Sequence, residues 1–201
     1  MKKRLGILLS GRGSNFEAIA DSVAAGNLDA EIAVVIGNRP EARGLEVARQ
    51  RGLNAMCIPS RGLDRNIYDA ILTDALKKHA VDLVCMAGFM RLLSAGFIRE
   101  FPGRILNIHP SLLPSFAGLD AQYQALQHGA KITGCTVHFV DEYLDAGPIV
   151  AQAAVPVLDD DTVEALSARI LREEHRIYTD AIRLVLSGQL RFEGRRVLKG
   201  N

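Results

Sequence analysis

Three features of this sequence could do chemistry. They are the pair Asn107 and His109, the aspartate Asp145 inside an acidic stretch, and the glycine-rich segment Ser10-Gly11-Arg12-Gly13-Ser14-Asn15. Side chains alternate along a strand, so Asn107 and His109 leave an extended segment on one face. Pro110 cannot continue a central ladder, so the strand is expected to stop there and present both polar side chains at its carboxyl end. A neutral imidazole takes a proton and a charged one donates it, while a carboxamide offers a fixed hydrogen bond to an oxyanion. Together they suit proton transfer at a carbonyl. An isolated Asn-x-His is more often a capped strand end than a site. Asp145 shifts that balance, because a carboxylate beside His109 would favour the charged ring and hold its orientation.

The glycine-rich segment lies between a strand candidate and a helix candidate. Ser14 and Glu17 have capping-box spacing, which places a helix start at the glycine-rich turn. Such a turn aims backbone N–H groups at one point, and with the helix dipole this favours phosphate. A dinucleotide fingerprint fails, because Phe16 stands at the last glycine position and the second strand closes on Gly37-Asn38-Arg39 without an acid. A P-loop lysine is absent. The acidic 141–148 stretch lacks the spacing of a calcium loop, and the five histidines, His79, His109, His128, His138 and His175, are too scattered for metal ligation. No metal is expected. His138 reads as part of a strand, and Ser111 has no nucleophile-elbow context.

The elements that must position these residues alternate. Apolar runs at 5–9, 32–36, 55–58, 82–87 and 104–108 read as strands, separated by helical patterns at 15–25, 42–51, 64–79 and 94–100. In the 64–79 helix, Ile67, Ile71, Leu72 and Ala75 are expected on the buried face. Strands apolar throughout are buried on both faces, as in parallel α/β sheets. The fold class is α/β, an open, mostly parallel, twisted, Rossmann-like sheet with helices on both faces. The C-terminal half adds an antiparallel element, strands 133–140 and 149–157. Helices at 121–127 and 162–186 accompany it, and a weak hairpin or strand is expected over 190–198. A single domain over 1–201 is the economical reading.

Composition narrows the partners. The 201 residues carry 24 Lys plus Arg against 23 Asp plus Glu, a net charge of +1, so no global field draws the chain to nucleic acid or a membrane. The basic start, Met1-Lys2-Lys3-Arg4, is followed by too short an apolar run for a signal peptide. Cys57, Cys85 and Cys135 are each expected to be buried core thiols, which suits a reducing, cytoplasmic setting.

The stretch Asn107-Ile108-His109-Pro110-Ser111-Leu112-Leu113-Pro114 resembles the folate-dependent formyltransferases. Gly11-Arg12-Gly13-Ser14-Asn15, Ala87-Gly88-Phe89-Met90-Arg91-Leu92-Leu93, Thr136-Val137-His138-Phe139-Val140 and Leu144-Asp145-Ala146-Gly147-Pro148 extend the resemblance, in order, over nearly the whole chain. They point to the branch that formylates glycinamide ribonucleotide in purine synthesis. The resemblance implies transfer of a formyl group from 10-formyltetrahydrofolate, a co-substrate, to that small-molecule amine, through a tetrahedral intermediate. It implies catalytic positions at Asn107, His109 and Asp145. Ribonucleotide contacts would fall at Gly13, Ser14, Asn15 and Glu174, and folate contacts at Arg65, Met90, Arg91, Leu92, Leu93 and Asn107, with the loop of Asp145 around the pterin. Residues 1–110 would form the phosphate-binding half and 111–201 the folate-loop and C-terminal helix half. Met90 and Leu93, read alone, are core residues. The sequence departs from the family pattern after Pro114, where Ala117 replaces a proline, Asp120 a common histidine and Tyr123 a common basic residue. Length and even charge favour a small phosphorylated substrate over tRNA, and a catalytic Asn-His-Asp set argues against a mere binding module. The protein is expected to act as a monomer or homodimer.

Overall fold

The structure, a computed structural model, describes residues 1–200. The chain divides into two compact units, Met1–Asn107 and Ile108–Asn201.

The first unit alternates strand and helix: β1 (Lys3–Leu9), α1 (Ser14–Ala24), β2 (Ala30–Gly37), α2 (Arg43–Gln50), β3 (Ala55–Cys57), α3 (Arg65–Lys78), β4 (Leu83–Met86) and α4 (Ala95–Glu100), leading into β5 (Ile105–His109). These strands lie in the order β3-β2-β1-β4-β5, and every pair is parallel. Leu5, Ile7, Leu8, Leu9, Val34, Val35 and Ile36 are all fully buried, so both faces of β1 and β2 are covered. Chain order explains how. Right-handed crossovers carry the chain from β1 through β2 to β3 with α1 and α2 on one face. The step from β3 to β4 runs back past β1, so the same handedness puts α3 and then α4 on the other face. The reversal falls between β1 and β4, and ligands collect beyond the carboxyl ends of strands at such a point.

In the second unit, α5 (Ala121–Gln127) precedes β6 (Ile132–Phe139) and β7 (Ile149–Pro156), which pair antiparallel. Then come the 24-residue α6 (Val163–Leu186) and a hairpin of β8 (Leu190–Glu193) and β9 (Arg196–Lys199). Thr162 caps α6 by accepting the Ala165 amide at 3.1 Å. Leu166, Ile170, Ile177, Tyr178, Ala181 and Ile182 form its buried stripe, which packs on β6 and β7. Each fully buried Leu or Ile there contributes about 1.5–3 kcal/mol over its exposed state.

Three sequence expectations are corrected. Ile67 and Ile71 are exposed, and the buried face of α3 is instead Tyr68, Asp69, Leu72, Thr73 and Leu76. Helical periodicity fits both stripes, and the one carrying Tyr68 and the longer leucines meets the sheet. The capping box does not form, because α1 starts one residue earlier than that pattern requires: Ser14 is already helical and the N-cap is Gly13, in the left-handed region at φ 81°. Cys57 is only half-buried on the three-residue edge strand β3, whereas Cys85 and Cys135 are buried. Among the described residues, no helix is long and apolar enough to cross a membrane.

Candidate active site

In the first unit, the glycine-rich turn after β1 meets the segment after β4 at the point where strand order reverses. The Ser10 amide donates to the Gly88 carbonyl at 3.0 Å, and the Met90 amide donates to Ser10 Oγ at 2.7 Å. Gly13 is required twice over. Its φ is left-handed, and a Cβ there would lie 3.0 Å from the Gly44 Cα. The first intrahelical bond of α1 runs from the Glu17 amide to the Gly13 carbonyl at 2.9 Å, so the amides ahead of it project from the helix end, in the geometry of an anion cradle. Gly13 and Asn15 are buried and Ser14 half-buried.

The folate-side candidates of this unit divide. Met90 and Leu92 are exposed at 59% and 53%, apolar surface of a kind that suits a flat ring and the reverse of the core reading for Met90. Leu93 and Arg91 are half-buried. Arg91 is held in place: its guanidinium lies 4.6 Å from the Tyr68 ring centre and donates to the Ser60 carbonyl at 3.3 Å. Arg65 is exposed at the first position of α3, directly after Asp64, whose carboxylate caps the helix by accepting the Asn66 amide at 2.8 Å. Asn107 sits on β5 in register with Met86 of β4.

The strand ends at His109, as Pro110 dictates, and alternation gives Asn107 and His109 the same face. In the second unit the distant aspartate does reach the histidine. Asp145 Oδ2 lies 3.4 Å from His109 Nδ1, with the two side chains 11% and 6% exposed. His109 Nε2 is 2.9 Å from the Phe116 carbonyl, and the Gly118 amide donates to Asp145 Oδ2 at 2.9 Å. Residues 116–118 therefore touch both members of the pair. Oxygen atoms therefore face both ring nitrogens of His109.

A second imidazole stands behind the carboxylate. His138 Nε2 is 3.8 Å from Asp145 Oδ1, and its Nδ1 donates to the Phe139 carbonyl at 2.8 Å. Burial pushes the His138 imidazole towards its neutral form, against the pull of that carbonyl and of Asp145. With its proton on Nδ1, the neutral ring leaves Nε2 unprotonated towards Asp145. Thr136, two residues earlier on β6, secures the chain that follows His109. Its Oγ1 donates to the Ser111 carbonyl at 2.7 Å and accepts the Leu113 amide at 3.0 Å, while Gln152 donates to the Leu113 carbonyl at 2.9 Å. Glu174 lies on the buried side of α6, 7% exposed. Among the described residues, no group of three His, Cys, Asp or Glu side chains could hold a metal ion.

Sequence reasoning missed the carbonyl of Phe116, the amide of Gly118 and the supporting roles of His138, Thr136 and Gln152. Backbone groups leave no signal in residue type. The alternation of Thr136 and His138 on one face of β6 was the available clue.

An open, mostly parallel α/β sheet, with a buried histidine 3.4 Å from an aspartate carboxylate after its fifth strand, defines the class: an α/β protein that carries a His–Asp pair. The chain belongs to the formyl transferase family, which it matches over residues 3–182. It is 47% identical over 190 residues to the trifunctional purine biosynthetic protein adenosine-3 of Drosophila melanogaster, covering 93% of this chain but only 14% of that protein. It is 41% identical over 186 residues to the phosphoribosylglycinamide formyltransferase of Escherichia coli (strain K12), covering 92% of this chain and 88% of that one. Among solved structures, glycinamide ribonucleotide transformylase 1 from Symbiobacterium toebii superposes with a TM-score of 0.97 at 53% identity, covering 100% of this chain and 95% of the other.

Proposed function

We propose that this chain is an enzyme that transfers the formyl group of 10-formyltetrahydrofolate to the amine of glycinamide ribonucleotide, giving formylglycinamide ribonucleotide and tetrahydrofolate. The observation that carries this reading is His109, 3.4 Å from the Asp145 carboxylate and on the same strand face as Asn107. The substrate amine attacks the formyl carbon, and the carbonyl oxygen becomes an oxyanion. Asn107 donates a hydrogen bond to it, and charged His109 stabilises it. The nitrogen that attacked must lose a proton and the folate nitrogen must gain one as its bond to the formyl carbon breaks. His109 moves that proton, directly or through one water, and Asp145 orients the ring and balances its charge. To reach substrate, His109 Nε2 has to leave the Phe116 carbonyl.

Gly13, Ser14 and Asn15 hold the ribonucleotide phosphate, and Glu174 faces the substrate's amine side. Arg65, Met90, Arg91, Leu92, Leu93 and Asn107 take the folate, with the 141–148 segment around its pterin. The whole chain works as one formyltransferase domain in the cytoplasm, as a monomer or homodimer, with small molecules as its partners and neither nucleic acid, membrane nor metal required. The test follows tetrahydrofolate release by purified protein. Release that needs both substrates supports transfer. Release without the ribonucleotide means hydrolysis, and no release from folded protein overturns the reading.

A further inference from the structure

The hairpin β8–β9 begins beyond residue 182, where the family match ends, and nothing in the proposed chemistry uses it. Two strands of four residues are not stable alone, so the hairpin must dock. It packs on β7, and its Phe192 ring lies 5.3 Å from the ring of Phe139, centre to centre. Phe139 is the last residue of β6, the point from which the 141–148 segment departs. At the hairpin turn, the Arg195 guanidinium donates to the carbonyl of Ala146, the residue after Asp145.

That segment needs holding. Asp145 has a left-handed backbone, φ 47°, a conformation that aspartate visits more readily than most residues and that its surroundings here must keep in place. The base of the segment is closed from within. The Phe139 amide donates to the Pro148 carbonyl at 2.9 Å, and Gly147 lies so close to the Phe139 carbonyl that a Cβ would sit 1.7 Å from the oxygen. The carboxylate is tied by Gly118 on one side. The outer side of the turn, at Ala146, is met by Arg195.

We propose that the C-terminal hairpin braces the Asp145 segment, with Arg195 as a positioning residue that holds the Ala146 carbonyl and, through it, the backbone that aims Asp145 at His109. Its catalytic consequence rests on the formyl-transfer reading above, since the same segment would surround the pterin. Arg195 touches no reacting atom. Its effect is expected in folate binding and in the order of the segment, with the ribonucleotide side untouched.

The experiment uses the chain of 201 residues and four variants: Arg195→Ala, Arg195→Lys, Phe192→Ala, and Arg191→Ala as a control whose guanidinium pairs with Glu193 within the hairpin. Amide hydrogen exchange over 141–148 is measured with kcat, the KM of each substrate and the Tm. Loss of a charge-assisted hydrogen bond to a carbonyl should lower kcat/KM for the folate about fivefold. Exchange over 141–148 should rise, and the ribonucleotide KM and the Tm should stay put. Phe192→Ala should act in the same direction, and Arg195→Lys should recover part of the loss, since an ammonium can still donate. Unchanged exchange and kinetics in Arg195→Ala, or an equal loss in Arg191→Ala, would overturn the brace. Faster exchange with unchanged turnover would overturn its catalytic role. If the wild type shows no turnover with both substrates, the formyl-transfer reading fails, while the contrast in exchange still decides whether the hairpin holds the segment.

Discussion

The two units build their candidate sites from different material. In the first, the glycine-rich turn is made of backbone: Gly13 against Gly44, amides projecting from α1, and Ser10 joined to the segment at Met90. In the second, the site is made of buried side chains, His109, Asp145 and His138, each fixed by named backbone or carboxylate partners. Backbone conformation follows the same division. The non-glycine residue with left-handed φ in the first unit is Ala80, which closes α3 in the ordinary manner of a helix end, its amide donating to the Lys77 carbonyl at 2.9 Å. In the second unit Phe116, Asp120 and Asp145 adopt it, and two of these three touch His109. A site of backbone amides tolerates changed side chains but not an added Cβ. A site of paired side chains is sensitive to the loss of a single charge.

Asp145→Asn should produce the largest contrast. The side chain keeps its size, but the charge opposite His109 is gone, and kcat should fall about 10³-fold. Steady-state kinetics at saturating substrates check this, with ribonucleotide affinity expected to stay within about threefold of wild type. Gly13→Ala is the counterpart in the first unit. A left-handed alanine costs about 1–2 kcal/mol, so the ribonucleotide KM should rise about tenfold while kcat at saturation is retained. A fall in kcat with unchanged KM would erase the distinction between the two regions.

Acid stability sharpens it further. The folded-state pKa of His138 is below its ordinary value of 6.5 because the ring is buried, so below that pH the unfolded chain binds a proton the folded one does not. Stability from this group is complete above 6.5 and is lost as pH falls towards the lower folded value, at no more than about 1.4 kcal/mol per pH unit. Denaturant melts of wild type and His138→Asn between pH 7 and pH 5 should show a shallower acid-side loss in the variant. The smallest effects belong to the surface of the first unit. Leu92→Ser should raise the folate KM about threefold, whereas Ile67→Ser should change neither kinetics nor, beyond about 0.5 kcal/mol, stability.

The parallel strands were legible because burial on both faces makes them apolar throughout, whereas their order in the sheet rests on pairings between distant strands that no local pattern records. The turn at Gly13 was legible as a phosphate candidate because its glycines precede a helix pattern, although the cap proved to be Gly13 itself with no side chain involved. Periodicity misplaced the face of α3, since Ile67 and Ile71 share a spacing with Tyr68 and Leu72 that no local rule ranks. The pairing of Asp145 with His109 depends on β6, β7 and a left-handed turn, and distance along the chain hides it. The contact of Phe116 with His109 runs through the backbone carbonyl of a residue with left-handed φ, 53°, and nothing in the identity of a phenylalanine announces that.

The role of His109 is decided by single-turnover formyl transfer in His109→Ala, with both substrates saturating and their affinities measured in parallel. The chemical step should slow about 10³-fold while binding of ribonucleotide and folate stays near wild type, because the removed group moves a proton and holds neither ligand alone. A single-turnover rate near wild type would contradict it, as would loss of turnover explained wholly by lost binding.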